Sequence, residues 1–283
     1  MKRVFITGCS AGFGRVTAEL LAGKGYHVLA GIRNVRTTNS EVAEELANQK
    51  NVEVIELDLS SQDSITTAVH AIKDKGIDVL INNAGVCGTG FTESHSVEKV
   101  KKIFDINVFG LYELTRQIIP IMRDQKEGLI INVSSIVGRI VMPIWGAYSA
   151  SKFAMEALAE TWRYELMPLG IDSVIVEPGP HPTTGMGMKM ADFSGDMPAM
   201  DVIQQYGPVA KSIQEFGEQL KKEVETGTFQ KPEGVAKAIA DLIEQPFGER
   251  PMRTVVDRQL QETLSGLNNY TDAMYQQMYA YQN

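Results

Sequence analysis

The chain has 283 residues, of which 43% are hydrophobic, and its formal net charge is -8. This length and composition indicate a single globular domain, and the acidic balance argues against nucleic acid or an anionic membrane surface as a partner. No apolar stretch approaches the roughly 20 residues that cross a bilayer. Cys9 and Cys87 form no CxxC pair and no signal-peptide core precedes the first strand, so we expect a cytoplasmic protein.

Short apolar segments rich in Val and Ile alternate with longer amphipathic segments along most of the chain. This alternation is typical of βαβ units and predicts an α/β fold, a doubly wound parallel sheet of about seven strands with helices on both faces. The predicted strands are Val4–Ile6, His27–Ile32, Val52–Leu57, Val79–Asn82, Leu129–Ser134, Ser173–Glu177 and Met252–Val256. The predicted helices are Phe13–Gly23, Ser40–Gln49, Gln62–Lys75, Val97–Arg123, Tyr148–Leu169 and one that begins near Pro232.

Two regions depart from this alternation. Residues 180–231 contain the run GMGMKM and a charged helical segment, Ile213–Glu225, and we interpret them as an insertion over the site, with a plain surface excursion as the alternative. Residues 258–283 form an amphipathic tail rich in Tyr and Met. We expect this tail to pack on the body of the protein or on a second subunit.

The first predicted strand runs into a glycine-rich turn, Thr7–Gly14, with the sequence TGCSAGFG, and then into a helix. Glycines let the backbone approach a pyrophosphate closely, and the N-terminus of a helix offers unpaired N–H groups and partial positive charge. A glycine cluster alone is often only a tight turn, but here a strand and a helix flank it. We therefore predict a single dinucleotide-binding and catalytic domain over residues 1–257.

Tyr148 and Lys152 lie four residues apart, on one face of a predicted helix, and Ser135 lies thirteen positions before the tyrosine, after an apolar strand. A tyrosine hydroxyl has an ordinary pKa of about 10, and a cation at i+4 can lower that pKa. Such a phenol is able to protonate the alkoxide that forms when a carbonyl accepts a hydride. A tyrosine and lysine at this spacing are otherwise usually a surface pair, and Ser134 competes with Ser135 for the serine role.

Taken together, several motifs resemble the short-chain dehydrogenase/reductase family. They are the TGxxxGxG spacing, the NNAG segment Asn82–Gly85, the NVFG segment that contains Asn107, and the YxxxK pair of Tyr148 and Lys152. The resemblance runs from residue 2 to about residue 184 and returns more loosely over 231–257. It implies a Rossmann-type oxidoreductase.

The same resemblance implies a role for each matching residue. Tyr148 is then the general acid, Lys152 holds the nicotinamide ribose, and Ser135, whose spacing to Tyr148 matches the family, binds the substrate oxygen. Asn107 holds a water that relays protons to Lys152. The family also implies a homodimer or homotetramer built on the helices that begin at Val97 and Tyr148.

The choice of cofactor is expected to depend on the end of the second strand, where a carboxylate would accept ribose hydroxyls and repel a 2′-phosphate. Ala30–Asn34 contains no carboxylate, and Arg33 offers a fork of donors suited to a phosphate. We therefore predict NADP(H), with a solvated surface arginine as the alternative. Asp58 matches the family position that contacts adenine, and an aspartate at a strand end is equally a loop cap. The predicted cofactor-binding residues are Gly8, Ser10, Gly12, Phe13, Gly14, Arg33, Asp58, Leu59, Asn83, Ala84, Gly85, Tyr148, Lys152, Pro178, Gly179 and Thr183.

After the sixth strand, the segment Glu177–Thr183 reads EPGPHPT and resembles the family's PGxxxT segment. This resemblance implies that the backbone and the Thr183 hydroxyl anchor the nicotinamide carboxamide. His181 stands where a small aliphatic residue is more common, so it lies either near the substrate or packed under the loop. None of the four histidines shows a metal-ligand spacing, and we predict no catalytic metal.

The residues predicted to face the substrate are mostly apolar and adaptable, which favours a hydrophobic ketone or aldehyde. Met and Trp are equally common as core residues. The candidates are Val86, Cys87, Met142, Trp145, His181, Met186, Met188 and Met190. The long insertion also resembles members that act on hydroxysteroids and retinoids.

The sequence therefore predicts an oxidoreductase that reduces a hydrophobic carbonyl compound with NADPH and reversibly oxidises the alcohol. Two alternatives stay open. The first is an NAD-dependent alcohol or hydroxysteroid dehydrogenase that works oxidatively. The second is a binding protein that senses NADP(H) without catalysis, because a glycine turn does not require turnover.

Overall fold

The computed structural model of the chain describes residues 1–184 and 204–280. Over these residues, seven parallel strands form one sheet in the order β3-β2-β1-β4-β5-β6-β7. The strands are β1 (Arg3–Thr7), β2 (His27–Ile32), β3 (Val52–Glu56), β4 (Val79–Asn82), β5 (Gly128–Val133), β6 (Ile171–Pro178) and β7 (Arg253–Val256). The predicted doubly wound parallel sheet is confirmed.

The helices alternate with the strands as predicted, with one difference in the middle of the chain. They are α1 (Gly12–Gly23), α2 (Ser40–Ala47), α3 (Gln62–Ile72), α4 (Val97–Phe104), α5 (Leu111–Gln125), α6 (Gly146–Leu166), α7 (Pro208–Thr226), α8 (Glu233–Glu244) and α9 (Gln261–Ala280). The helix predicted over Val97–Arg123 is confirmed as one continuous helical stretch, and its unpredicted feature is a π-helical turn, Asp105–Gly110, between α4 and α5. Among the helices described, none is long and apolar enough to span a membrane.

Both faces of the sheet are covered, which explains why its strands are apolar throughout. Val4 and Ile6 face one side with α1, α2 and α8, and Phe5 faces the other side with α3, α5 and α6. All three side chains are fully buried. Successive strand residues point to opposite faces, so a run of apolar residues in β1 serves two cores of a single domain.

The strand order reverses beside β1. The chain proceeds from β1 outward to β2 and β3, and then returns to place β4 on the other side of β1. Ligands of open parallel sheets bind in the crevice at such a switch point, outside the carboxyl ends of the strands. Gly8 follows β1 and Asn83 follows β4, so both predicted cofactor residues lie at this crevice.

The C-terminal tail packs on the body of the protein, which was one of its two predicted positions. Leu264 of α9 is buried. Arg139, in the turn after β5, donates hydrogen bonds to Asn268 Oδ1 at 3.0 Å and to Thr271 Oγ1 at 2.9 Å. In the insertion, α7 corresponds to the predicted helical segment Ile213–Glu225, whereas Met186, Met188 and Met190 lie outside the described residues.

Candidate active site

The N-terminus of α1 opens into the crevice. The first N–H groups of a helix have no partner within the helix, and Ala11, which precedes α1, supplies no side-chain cap. Gly8 has φ +77°, and a Cβ there would lie 2.9 Å from Ala84 Cα. A Cβ on Gly14 would overlap the Gly8 carbonyl and the Asn83 side chain. Glycine is therefore required for the close approach of this turn to the chain after β4.

Thr7, at the end of β1, holds the NNAG segment against the glycine turn. Its hydroxyl accepts hydrogen bonds from the backbone N–H groups of Asn83 at 3.0 Å and Ala84 at 2.8 Å. Its carbonyl accepts a bond of 2.8 Å from the Asn83 amide. The sequence-based site did not include Thr7 as a binding residue, although its place at the start of TGxxxGxG was a signal for such a role.

The glycine-rich cleft, as we name the space at this end, has a volume of about 970 Å³ including open solvent. Most of the predicted cofactor residues line it, and these are Gly8, Ser10, Gly12, Phe13, Arg33, Asp58, Leu59, Asn83, Ala84 and Gly85. Gly14 lies beneath the turn rather than in the lining. Val86 and Cys87, predicted to face the substrate, also line this cleft.

Arg33 lies exposed at the end of β2 and lines the cleft. Among the described residues, its guanidinium forms no ion pair, and its carbonyl accepts a bond of 2.7 Å from Asn39. Asp58 lines the same cleft while its Oδ1 accepts hydrogen bonds from the Ser60 N–H at 2.9 Å and the Ser60 hydroxyl at 2.7 Å. Asp58 is therefore a loop cap that also borders the cleft. A helix N-terminus, a close glycine backbone and an exposed guanidinium fit a dinucleotide that carries phosphates.

Asn107 lies in the π-helical turn between α4 and α5. Its side chain bonds both backbone groups of Val86: its Oδ1 accepts from the N–H at 2.8 Å and its Nδ2 donates to the carbonyl at 2.8 Å. The same Nδ2 donates to Ser151 Oγ at 3.0 Å. π-turns inside helices are frequent at functional sites, and this one fixes the loop after β4 to the helix that carries Tyr148.

Ser135, Tyr148 and Lys152 come together where β5 ends against α6. The hydroxyls of Ser135 and Tyr148 are hydrogen-bonded, and the Lys152 ammonium donates to the Val133 carbonyl at 2.9 Å. Ser134 instead donates to Glu156 Oε1 at 2.6 Å. Of the two candidate serines, Ser135 is therefore the one that contacts the tyrosine.

Burial dominates the electrostatics of this group. It raises the pKa of Tyr148, with the nearby Cys87 acting in the same direction and the Ser135 hydrogen bond acting against it. It lowers the pKa of Lys152 to about 8, against the charges of Cys87 and Glu156. In the protein alone, burial therefore outweighs the lowering of the Tyr148 pKa that was expected from Lys152. The Lys152 ammonium bonds the Val133 carbonyl and lies over the Tyr148 ring, 5.8 Å from its centroid.

A second space adjoins the glycine-rich cleft, and we name it the apolar chamber. Its volume is about 1210 Å³ including open solvent, and Ser135, Tyr148 and Lys152 line it. Asn83 and Gly85 border both spaces. The other side chains of the chamber are mostly apolar, and they include Phe13, Ile136, Val137, Met142, Trp145, His181, Phe216 and Leu220.

The loop after β6 differs in detail from its prediction. Pro178 and Gly179 line the apolar chamber, but Thr183 is exposed and Thr184 is the threonine that borders both spaces. A turn over His181–Thr184 brings Thr184 to this position. The His181 carbonyl stabilises the turn by accepting hydrogen bonds from the Thr184 N–H at 3.2 Å and the Thr184 hydroxyl at 2.9 Å.

His181 is packed under the loop and also borders the apolar chamber, so both of the alternatives considered for it hold. Its ring is buried, packs edge-on against Phe13 with centroids 4.8 Å apart, and bonds the Gly179 carbonyl through Nδ1 at 2.8 Å. Burial lowers its pKa. The histidine is therefore a packed, neutral residue of the loop, and one edge of it also borders the chamber.

Sequence reasoning placed the insertion over the site but did not name the α7 residues that line the chamber. Phe216 and Leu220 lie one turn apart on this helix and reach the chamber from across the fold. The signal was the apolar spacing of Ile213, Phe216, Leu220 and Val224, which marks one face of an otherwise charged helix. Such spacing predicts which face of a helix is apolar, but it does not predict which distant part of the chain that face covers.

Known proteins are similar to this chain over most of its length. A family model described as short chain dehydrogenase matches residues 2–194. The chain is 33% identical over 251 residues to the uncharacterized oxidoreductase YusZ of Bacillus subtilis (strain 168), which covers 86% of this chain and 84% of that protein. It is 38% identical over 186 residues to 17-beta-hydroxysteroid dehydrogenase type 6 of Bos taurus, which covers 63% of this chain and 56% of the bovine protein.

A solved structure is also similar. The short chain dehydrogenase/reductase from Burkholderia phymatum, in complex with NAD, has a TM-score of 0.75 and 25% sequence identity to this chain. The match covers 93% of this chain and 92% of that one. The similarity in fold therefore extends over nearly the whole chain.

Proposed function

Since the chain belongs to the short chain dehydrogenase family and is an oxidoreductase of that type, we propose that it reduces a hydrophobic ketone or aldehyde with NADPH, reversibly. The observation that carries this proposal is the hydrogen-bonded pair of Ser135 and Tyr148 in an apolar chamber that adjoins the glycine-rich cleft. A proton donor and a dinucleotide site in contact are what coupled hydride transfer and protonation require.

The chain's own groups have distinct duties in this reaction. When bound, the nicotinamide supplies the hydride that reduces the carbonyl carbon. The Ser135 hydroxyl holds the substrate oxygen, and the Tyr148 hydroxyl donates its proton to that oxygen as negative charge develops there. The Lys152 ammonium binds the ribose beside the ring. Asn107 keeps the loop after β4 and α6 in register, and serves the proton relay to Lys152.

A nicotinamide cofactor is supported by the solved relative from Burkholderia phymatum, which is a complex with NAD. Our proposal of NADPH for this chain rests on Arg33, whose exposed guanidinium borders the cleft at the end of β2. The position is suited to a charge-assisted pair with a 2′-phosphate. The backbone N–H groups at the start of α1 bind the pyrophosphate in this proposal.

The substrate class follows from the lining of the apolar chamber. Lys152 is its only cationic side chain among the described residues, and its ammonium is already bonded to the Val133 carbonyl. The chamber therefore offers little to a substrate carboxylate and much contact to a bulky apolar carbonyl compound. The bovine relative is named as a hydroxysteroid dehydrogenase, which supports a substrate of this kind.

The decisive experiment is Tyr148→Phe, assayed with NADPH against a panel of hydrophobic ketones and aldehydes. Loss of the phenol is expected to lower kcat by about 10²–10⁴-fold, the usual contribution of general acid catalysis, and to leave NADPH binding intact. Tyr270→Phe is the matched control, because Tyr270 is exposed on α9. Undiminished turnover in Tyr148→Phe contradicts the acid assignment. Tight NADPH binding without turnover on any carbonyl favours the sensor, and oxidation with NAD favours the dehydrogenase.

We further propose that the protein is a homodimer or homotetramer built on α4, α5 and α6. Large apolar side chains are exposed on this face, and they are Val97, Phe109, Tyr112 and Phe153. Tyr112 of α5 stacks on the buried Trp162 of α6 with ring centroids 6.2 Å apart, so the two helices pack against each other beneath this surface. Contiguous apolar surface of this kind marks association sites.

A further inference from the structure

A buried cluster of charges lies directly behind the catalytic group, and we name it the carboxylate hub. Its centre is Arg253 of β7, whose side chain is 1% exposed. Four carboxylates from three elements surround this guanidinium. They are Glu156 at 3.0 Å and Glu160 in contact, both from α6, Glu177 of β6 at 3.3 Å, and Asp272 of α9 at 3.6 Å.

Glu156 connects this hub to the active site. Its Oε2 pairs with Arg253, and its Oε1 accepts the 2.6 Å hydrogen bond from Ser134, the residue before Ser135. A Cβ on Gly138 would overlap Glu156 Oε1, so the turn that follows Ser135 rests directly on this carboxylate. A shift of Glu156 therefore displaces the serine that contacts the catalytic phenol.

The same residue also acts on the lysine by charge. Tyr148, Lys152 and Glu156 follow one another at intervals of four residues on α6, so they lie one above the other on one face of the helix. Burial lowers the pKa of Lys152 to about 8, while negative charge on Cys87, where its thiol is ionised, and on Glu156 opposes this effect. Because burial raises the pKa of the Cys87 thiol to about 12, that thiol is neutral at pH 8, and Glu156 is the partner that supplies negative charge.

The far side of the hub is the C-terminal helix. Asn268 of α9 donates to Glu177 Oε2 at 2.8 Å and accepts from Arg139, in the turn after Ser135, at 3.0 Å. The tail is thereby bonded both to the hub and to the turn that Glu156 supports. The hub therefore joins α6, β6, β7 and α9 behind one end of the apolar chamber.

We propose that Glu156 is a positioning residue of this active site, one that fixes the Ser135 turn through Ser134 and places a negative charge one helical turn from Lys152. The inference rests on the proposed function in one respect, the binding of the cofactor ribose by Lys152. No motif in the sequence marks Glu156, which reads there as an ordinary charged residue of an amphipathic helix.

The charged and titratable groups around Lys152 and Glu156 come from several parts of the described structure. Lys152 faces Cys87 from the loop after β4, and Tyr148 and Glu156 from its own helix. Glu156 faces Arg253 of β7 and Glu177 of β6. Beyond them lie the other members of the hub, Glu160 and Asp272, and Arg139, which faces Glu177 and Arg253. Removal of the Glu156 charge is therefore felt by Lys152 more directly than removal of any other carboxylate of the hub.

Glu156→Gln tests the electrostatic part, because glutamine keeps the volume and an acceptor for Ser134 but removes the charge. The readout is the pH dependence of NADPH affinity, followed by nicotinamide fluorescence, together with that of kcat/KM. NADPH affinity and kcat/KM are both expected to fall at high pH, where Lys152 loses its proton. In Glu156→Gln we expect this fall at a pH about one unit lower, the low end of what an adjacent charge does to a pKa. Glu160→Gln is the matched control, since it removes a carboxylate from Arg253 two turns away from Lys152 and is expected to leave both profiles in place.

Ser134→Ala tests the positioning part and does not depend on how well Glu156→Gln folds. It removes the hydrogen bond to Glu156 and leaves the charge, so kcat is expected to fall about tenfold, the equivalent of 1.4 kcal/mol, with an unchanged pH profile and NADPH affinity. Equal shifts in Glu156→Gln and Glu160→Gln, or no shift in either, overturn the electrostatic role. Wild-type kcat in Ser134→Ala overturns the positioning role. If the wild type reduces no carbonyl, the proposed function fails, and the NADPH binding profile still decides the role of the Glu156 charge.

Discussion

Replacement of Glu177 by glutamine is expected to flatten the dependence of the free energy of unfolding on pH. Burial, reinforced by the charge of Glu156, raises the pKa of Glu177 to about 8. The charge count supports this direction, because the two guanidiniums of Arg253 and Arg139 cannot neutralise the four carboxylates of the hub. The folded protein therefore keeps a proton on Glu177 that the unfolded chain loses near its ordinary pKa of about 4.3.

The sign follows from this difference in bound protons. Between the unfolded and folded pKa values the native state binds the extra proton, so the stabilisation is complete below the unfolded pKa and is lost as pH rises toward 8. The slope is at most about 1.4 kcal/mol per pH unit, which amounts to about 2–3 kcal/mol between pH 5.5 and pH 7.5. Glutamine resembles the protonated acid and keeps an acceptor for Asn268, which donates to Glu177 at 2.8 Å.

The assay is urea unfolding of the wild type and Glu177→Gln at half-unit steps across this pH range. Their difference in unfolding free energy is the quantity to plot, because it cancels the opposite contribution of His181, whose pKa burial lowers. Glu19→Gln is the control, since Glu19 forms a half-buried pair with Arg15 on α1, away from the hub, and its replacement is expected to leave the slope unchanged. Parallel curves for the wild type and Glu177→Gln refute the reasoning.

Three further outcomes are expected. Arg33→Ser lowers the ratio of NADPH to NADH affinity by about ten- to a hundredfold, the value of one charge-assisted contact, whereas the exposed Arg36→Ser does not; fluorescence titration measures both. Phe153→Glu produces monomers in light scattering, whereas Leu267→Glu on α9, equally exposed at 41%, keeps the oligomer. Phe216→Ala raises KM for bulky apolar ketones about ten- to a hundredfold, because a lost phenylalanine contact costs about 1.5–3 kcal/mol, and an unchanged KM excludes α7 from the substrate site.

The strands were predictable where the chain is apolar on both faces. His27–Ile32 and Val79–Asn82 are confirmed at the predicted bounds. The sixth strand begins two residues earlier than predicted, at Ile171, because Asp172 is a fully buried carboxylate. Ion pairs with Arg163 at 2.7 Å and Arg250 at 3.0 Å compensate for the burial of this carboxylate in the sheet. The partners of a charged strand residue come from distant parts of the chain, and local pattern does not show them.

The residues of the candidate site likewise fall into those that the sequence predicted and those that it did not. The motif residues at the ends of β1, β4 and β5 are brought together by the strand order itself, so spacing was enough to find them. The π-turn at Asn107 was not foreseeable, because the apolar period continues from α4 into α5 and only the bonds from Asn107 to Val86 reveal the distortion. Glu156 and Arg253 were missed for a different reason, since a charged residue is normally a solvated one and only their mutual contact explains their burial.

Burial determines which protonation state the protein alone favours in Tyr148, the proposed proton donor. Protonation of a nascent alkoxide needs a neutral phenol, and burial favours that form of Tyr148. Oxidation of an alcohol needs the phenolate, which the protein alone disfavours and which only positive charge nearby can stabilise. The same burial brings the pKa of Lys152 down to about 8, so the one cation of the chamber among the described residues is itself close to losing its charge. Tyr148 is therefore favoured in its neutral form, which can donate a proton. Its capacity to accept a proton depends on positive charge nearby. In the proposed function that charge comes from Lys152, which Glu156 helps to keep protonated, and from the cofactor.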